Sequence, residues 1–98
     1  MIRHIVFWKL KDEAEGNDKV TNAEIIKTKL EALNGKIEGL LKAEVCQNFN
    51  PNGYDVCLYS ELSSRGALDF YQNHPLHEEC KDFIGKVVTD RAVTDCEI

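Results

Sequence analysis

Two strand-like runs, residues 40–49 and 54–62, flank the quartet Asn50-Pro51-Asn52-Gly53. Proline, glycine and asparagine favour a chain reversal, so the runs are expected to pair as a hairpin. Side chains alternate along a strand. Centring the turn between Pro51 and Asn52 therefore sorts them into two faces. One face collects Leu41, Ala43, Val45 and Phe49 with Tyr54, Val56, Leu58 and Leu62. The other collects Lys42, Glu44, Cys46 and Asn48 with Asp55, Cys57, Tyr59 and Glu61, and sets Lys42 opposite Glu61 as a favourable cross-strand pair. The first face belongs under helices. The second is half polar, which suits solvent or a wet subunit interface.

The remaining elements follow from local pattern. Residues 2–10, rich in β-branched and aromatic types, read as a strand buried on both faces. Residues 11–19 are polar, contain Gly16-Asn17-Asp18, and read as a loop. Thr21-Asn22-Ala23-Glu24 has the capping-box pattern, with Thr21 as N-cap. The helix after it places Ala23, Ile26, Leu30, Leu33 and Ile37 on one stripe and is expected to stop at Asn34-Gly35. Ser63-Ser64 can cap a short helix through Ala67, Leu68 and Tyr71. His74 precedes Pro75, which disfavours helical geometry there, while Pro75 suits the first position of a new helix. That helix carries Leu76, Cys80, Phe83, Ile84 and Val87, and residues 90–98 form a last strand. The order is β-α-β-β-α-(α)-β, an α+β, ferredoxin-like split βαβ fold with a four-stranded antiparallel sheet. With helices on one side only, the bare side predicts a two-fold dimer through the sheet face.

Length and charge narrow the function. At 98 residues the chain is a single domain, 1–98, and buries about two-thirds of its unfolded surface. Its net charge of −5, with no basic cluster denser than Lys9 and Lys11, disfavours nucleic acid and anionic membranes. Strand-like residues follow Met1 directly, and no apolar run approaches a membrane span, so no signal peptide is expected. Cys46, Cys57, Cys80 and Cys96 show neither C-x-x-C nor zinc spacing. Free thiols in a reducing cytoplasm are expected. The hairpin register nevertheless sets Cys46 opposite Cys57, and whether they pair stays open.

The chemistry-bearing stretch is Tyr71-Gln72-Asn73-His74-Pro75-Leu76-His77. A phenol and an imidazole together can move protons without metal or cofactor. With Pro75 starting the helix, His77 falls in its first turn, where the helix dipole disfavours imidazolium. A helix-start histidine facing water is the plain alternative. Tyr71 lies just before the kink, which could turn both side chains toward one cavity; otherwise it is a core tyrosine. His4, amid Ile, Val, Phe and Trp, must be a hydrogen-bonded core histidine or face a cavity. A metal held by His74, His77 and Glu78 is disfavoured, because the break at Pro75 spoils their common face. No nucleophile motif or phosphate loop is present, and no cofactor is expected.

The chain resembles the stress-responsive A/B barrel (Dabb) family, within the dimeric α/β barrel group. The resemblance is carried by Ile2-Arg3-His4-Ile5-Val6-Phe7-Trp8-Lys9-Leu10-Lys11-Asp12, Gly53-Tyr54-Asp55, the Tyr71–His77 stretch, and Asp90-Arg91-Ala92-Val93-Thr94-Asp95-Cys96-Glu97. It implies a ferredoxin-like subunit that dimerises through its sheet. One plant polyketide cyclase with this motif forms olivetolic acid by a cofactor-free aldol cyclisation. By resemblance its catalytic tyrosine and histidine match Tyr71 and His77, and a pocket histidine matches His4. Two further pocket residues of that cyclase, a histidine and a tryptophan, fall on Val56 and Val88 here, so the acid–base pair carries over and the substrate does not. Three functions follow as expectations. The first is proton abstraction next to a carbonyl, with His77 as base, Tyr71 on the oxyanion and His4 positioning. The second is a ligand-binding or stress-associated homodimer without chemistry. The third, by fold analogy, is a cofactor-free monooxygenase.

Overall fold

Strand β1 (Ile2–Leu10) runs through the middle of a four-stranded antiparallel sheet in a computed structural model that describes all of residues 1–98. It pairs with β5 (Val56–Leu62) on one side and β6 (Val88–Glu97) on the other. Strand β4 (Leu40–Gln47) pairs with β5 at the far edge. Helix α1 (Lys19–Glu31) joins β1 to β4, and α2 (Arg65–Gln72) and α3 (Pro75–Val87) join β5 to β6. This is the ferredoxin-like arrangement that the element order predicts. No helix is long and apolar enough to cross a membrane.

The hairpin register holds from Lys42 to Gln47: Lys42 faces Glu61, and Cys46 faces Cys57. Near its start the strand departs from the expectation. A bulge between Leu40 and Lys42 puts Leu40 in the core, 7% exposed, and Leu41 outside, 57% exposed. Phe49, expected on the covered face, lies beyond the strand end and is fully exposed. Strand β1 is buried on one face rather than two. Ile2, His4, Val6, Trp8 and Leu10 are buried beneath the helices, while Ile5 and Phe7 are half-buried and Arg3 and Lys9 exposed on the open face.

The expected loop at 11–19 contains a small hairpin, β2 (Glu13–Ala14) with β3 (Asn17–Asp18). Glu15 and Gly16 both take positive φ, 53° and 77°, as a two-residue turn between twisted strands requires. Because β3 feeds straight into α1, Asp18 rather than Thr21 is the N-cap: its carboxylate accepts from the Thr21 backbone N–H at 2.8 Å. The helix ends at Glu31, before Asn34-Gly35, and Leu33 and Ile37 pack into the core beyond it. The Ser64 cap on α2 and the Pro75 start of α3 form as the sequence predicts.

Cover over the sheet is uneven. Ala43, Val45, Val56, Leu58 and Leu62 are buried beneath the helices. On β6, Arg91, Val93, Asp95 and Glu97 lie on the same face, opposite the buried residues of β1, yet remain exposed. A cleft is left between α3 and the β1–β6 edge.

Candidate active site

Alternation along β1 sends the His4 side chain toward the helices, where it is 2% exposed. Antiparallel register places Asp95 of β6 directly opposite. The Asp95 carboxylate lies 2.5 Å from His4 Nδ1, so the Nδ1–H donates to it. Behind the ring, the buried Ser60 hydroxyl donates to the His4 carbonyl at 2.7 Å.

The α2–α3 junction positions the second imidazole. His74 is extended, with ψ 137°, as a residue before proline prefers, and its Nδ1 accepts from the Leu76 N–H at 3.1 Å. That cap occupies Nδ1 of the His74 ring, whose edge packs against Phe70. No group of three or more metal-ligating side chains gathers anywhere in the chain. Three residues on, His77 lies in the first turn of α3 and is 8% exposed. Its Nδ1 stands 3.3 Å from the Gln72 carbonyl, the last residue of α2. A carbonyl only accepts, so Nδ1 carries the proton and Nε2 its lone pair. Burial, ahead of every other influence, lowers the His77 pKa to about 4.

Tyr71 fills the space behind the two imidazoles. Its ring centroid is 4.3 Å from His77 and 6.3 Å from His4. The residue is 0% exposed, and its hydroxyl is the one buried side-chain polar atom without a hydrogen-bond partner. Burial also raises the phenol's pKa, so it stays protonated.

His4 and His77 both face a cavity of about 400 Å³ in the cleft. Val6, Trp8, Leu30, Leu58, Ile84 and Val88 supply its apolar wall, and Gln72, Lys81, Gly85 and Arg91 complete the lining. Tyr71 stands behind this wall rather than in it. The three site residues read from the sequence thus meet, with only the imidazoles touching the hollow. Of the two departure positions, Val88 lines the cavity, whereas Leu58 does so in place of Val56. Trp8, read as core, is also part of the wall. Sequence reading missed the Asp95 partner, the Gln72 carbonyl, and the cations Lys81 and Arg91. Only the β1–β6 register, a long-range property, would have revealed Asp95.

Away from this site, Cys46 and Cys57 face each other as thiols on the open sheet face. Burial raises the Cys57 pKa, which disfavours its reactive thiolate.

The family model for the stress responsive A/B barrel domain matches residues 2–98. Among solved structures, a dimeric protein of unknown function with a ferredoxin-like fold from Bacteroides fragilis is 33% identical, with a TM-score of 0.88, over 99% of this chain and 95% of that one. A Dabb family protein with a ferredoxin-like fold from Mesorhizobium loti is 21% identical, with a TM-score of 0.77, over 99% and 95%. A hydroxynitrile lyase from Passiflora edulis is 17% identical, with a TM-score of 0.79, over 99% and 92%. The last two likenesses are of fold alone. No curated protein sequence matches the chain.

Proposed function

Because this chain belongs to the stress responsive A/B barrel domain family, we propose that it acts as a homodimeric small-molecule enzyme that removes a proton next to a carbonyl. The observation that carries this reading is the His77 ring, buried, held in one tautomer by the Gln72 carbonyl, and facing a 400 Å³ hollow beside His4. His77 Nε2 takes the proton from carbon, and the C–H electron pair moves into an enolate. For the Tyr71 hydroxyl, buried without a partner behind the wall, to donate to the enolate oxygen, its side chain must shift toward the hollow. His4, aligned by Asp95, positions the substrate. When the enolate carbon attacks a second carbonyl in the same molecule, His77 returns its proton to the new alkoxide. A base with a conjugate-acid pKa near 4 is weak by itself, but a developing oxyanion beside it favours the imidazolium. Dimerisation through the open sheet face is supported by Ile5, Phe7 and Tyr59, half-buried there, and by the Bacteroides fragilis relative, described as dimeric.

The Passiflora edulis neighbour, described as a hydroxynitrile lyase, supports the reading only in that a lyase uses this fold. The test is deuterium uptake by benzylacetone in heavy water, followed by proton NMR. The protein should accelerate uptake next to the carbonyl, and His77→Ala should lose about tenfold or more of that rate. Equal rates for the two proteins would remove His77 as the base. The position of Tyr71 behind the cavity wall favours a second reading, a ligand-binding homodimer without chemistry. In that case neither protein accelerates uptake.

A further inference from the structure

The charge around the cavity runs against that of the whole chain. Seventeen acidic residues outnumber twelve basic ones, yet no Asp or Glu lines the hollow. Its charged lining residues are Lys81 and Arg91, both exposed at the cleft between α3 and β6. The Lys81 ammonium donates to the Gln72 carbonyl at 3.3 Å, the same oxygen that orients His77. Its ion pair with Glu78, 3.1 Å, is solvent-exposed at both ends and therefore weak. Arg91 takes part in none of the chain's ion pairs; its backbone N–H, not its guanidinium, bonds Asp90. An unpaired guanidinium and a loosely paired ammonium beside an apolar hollow are a receptor for an anion with an apolar body.

We infer that the cavity selects small carboxylates, with the carboxylate held at the mouth by Arg91 and Lys81 and the apolar body directed along Val6, Trp8 and Ile84 toward His4 and His77. The inference rests on the proposed function for the reacting carbonyl but not for the charge preference. The two cations also make chemical sense of the site. They neutralise a substrate that would otherwise be repelled by a chain of net charge −5. The Lys81 charge also helps to keep His77 unprotonated.

Trp8 is the single tryptophan and lies in the cavity wall, so its fluorescence reports occupancy. The experiment compares quenching by hydrocinnamate and by its neutral analogue hydrocinnamamide. Hydrocinnamate should bind about tenfold more tightly at low salt, and the gap should narrow as salt screens the mouth. Arg91→Gln and Lys81→Gln should each close the gap by roughly threefold while leaving hydrocinnamamide binding unchanged. Equal binding of the two probes, no binding of hydrocinnamate, or a gap untouched by both substitutions would overturn the inference. Tyr71→Phe should keep the preference. A kept preference with no deuterium uptake defeats the catalytic reading alone, and uptake without a preference defeats this one alone.

Discussion

Asp95 and His4 sit opposite each other across the β1–β6 ladder, and the Asp95 carboxylate reaches His4 Nδ1 at 2.5 Å. One end of this contact is buried and the other is 42% exposed. The aspartate thus fixes the orientation of the His4 ring from the edge of the sheet.

Replacing Asp95 by asparagine tests that orienting role. An amide can donate as well as accept, so Asp95→Asn allows the His4 proton to move to Nε2. Nitrogen NMR of the ring should show the tautomer shifting. Hydrocinnamate binding should weaken, and stability should drop by about 1–2 kcal/mol. An unchanged tautomer would assign Asp95 no part in orienting the ring.

His77 makes stability depend on pH in a defined window. Its pKa falls from 6.5 in the unfolded chain to about 4 when folded. Between those values the unfolded chain binds the proton and the folded chain does not. Stability is therefore full above pH 6.5 and declines as pH falls toward 4, by roughly 3 kcal/mol in all. Asp18 and Glu31 titrate below their ordinary values of 3.8 and 4.5, held down by hydrogen bonds to Thr21 and Lys27, so their losses come at lower pH. Denaturant midpoints measured against pH should show the decline in the native protein and a much flatter profile in His77→Gln.

Tyr71→Phe should separate stability from chemistry. The hydroxyl is buried with no partner, and removing such a group relieves a cost of about 1–3 kcal/mol. The variant should be at least as stable as the native protein by thermal melting, yet lose about tenfold in deuterium uptake. A clear loss of stability would reveal a hydrogen bond to this hydroxyl in solution.

Two glycines should respond in opposite directions. Gly85, inside α3, has open space where a Cβ would go, so Gly85→Ala should gain up to about 1 kcal/mol from helix propensity. Gly39 has φ +87°, and an added Cβ would stand 2.6 Å from the Ala67 Cβ. Gly39→Ala should lose roughly 1–3 kcal/mol, combining backbone strain with the clash against α2. Thermal melts of the two variants check both signs.

Assembly is read from Phe7, half-buried on the open face and packed 5.9 Å, ring to ring, against Tyr54. Phe7→Glu places a charge in the proposed dimer contact without entering the core. Sedimentation should show a monomer at concentrations where the native chain is dimeric. A dimer that survives the substitution would put the interface elsewhere.

Much of this architecture can be read in short range. The Ser64 cap, the Pro75 start and the Cys46–Cys57 register each depend on a few neighbouring residues. Errors arose where two local signals competed. Thr21 has the pattern of a cap, but Asp18, delivered extended by the β2–β3 turn, starts the helix three residues earlier and accepts from the Thr21 N–H itself. Leu41 has the right period for the core, but a bulge beside it shifts the phase by one residue. At the site, sequence led to His4, Tyr71 and His77 because their residue types are rare in such surroundings. It passed over Lys81 and Arg91, which look like ordinary surface cations.

By itself, the order of residues determined the fold, the helix break at Pro75 and the nature of the proton-handling groups, since alternation, capping and proline geometry act within a few bonds. Only the folded chain decided that Asp95 aligns His4, that Tyr71 stands behind the wall, and that a hollow opens between α3 and β6 with two cations at its mouth. Those facts depend on how distant strands register and on how far three helices reach across a sheet. Packing of the whole chain sets these distances, and no local window contains them.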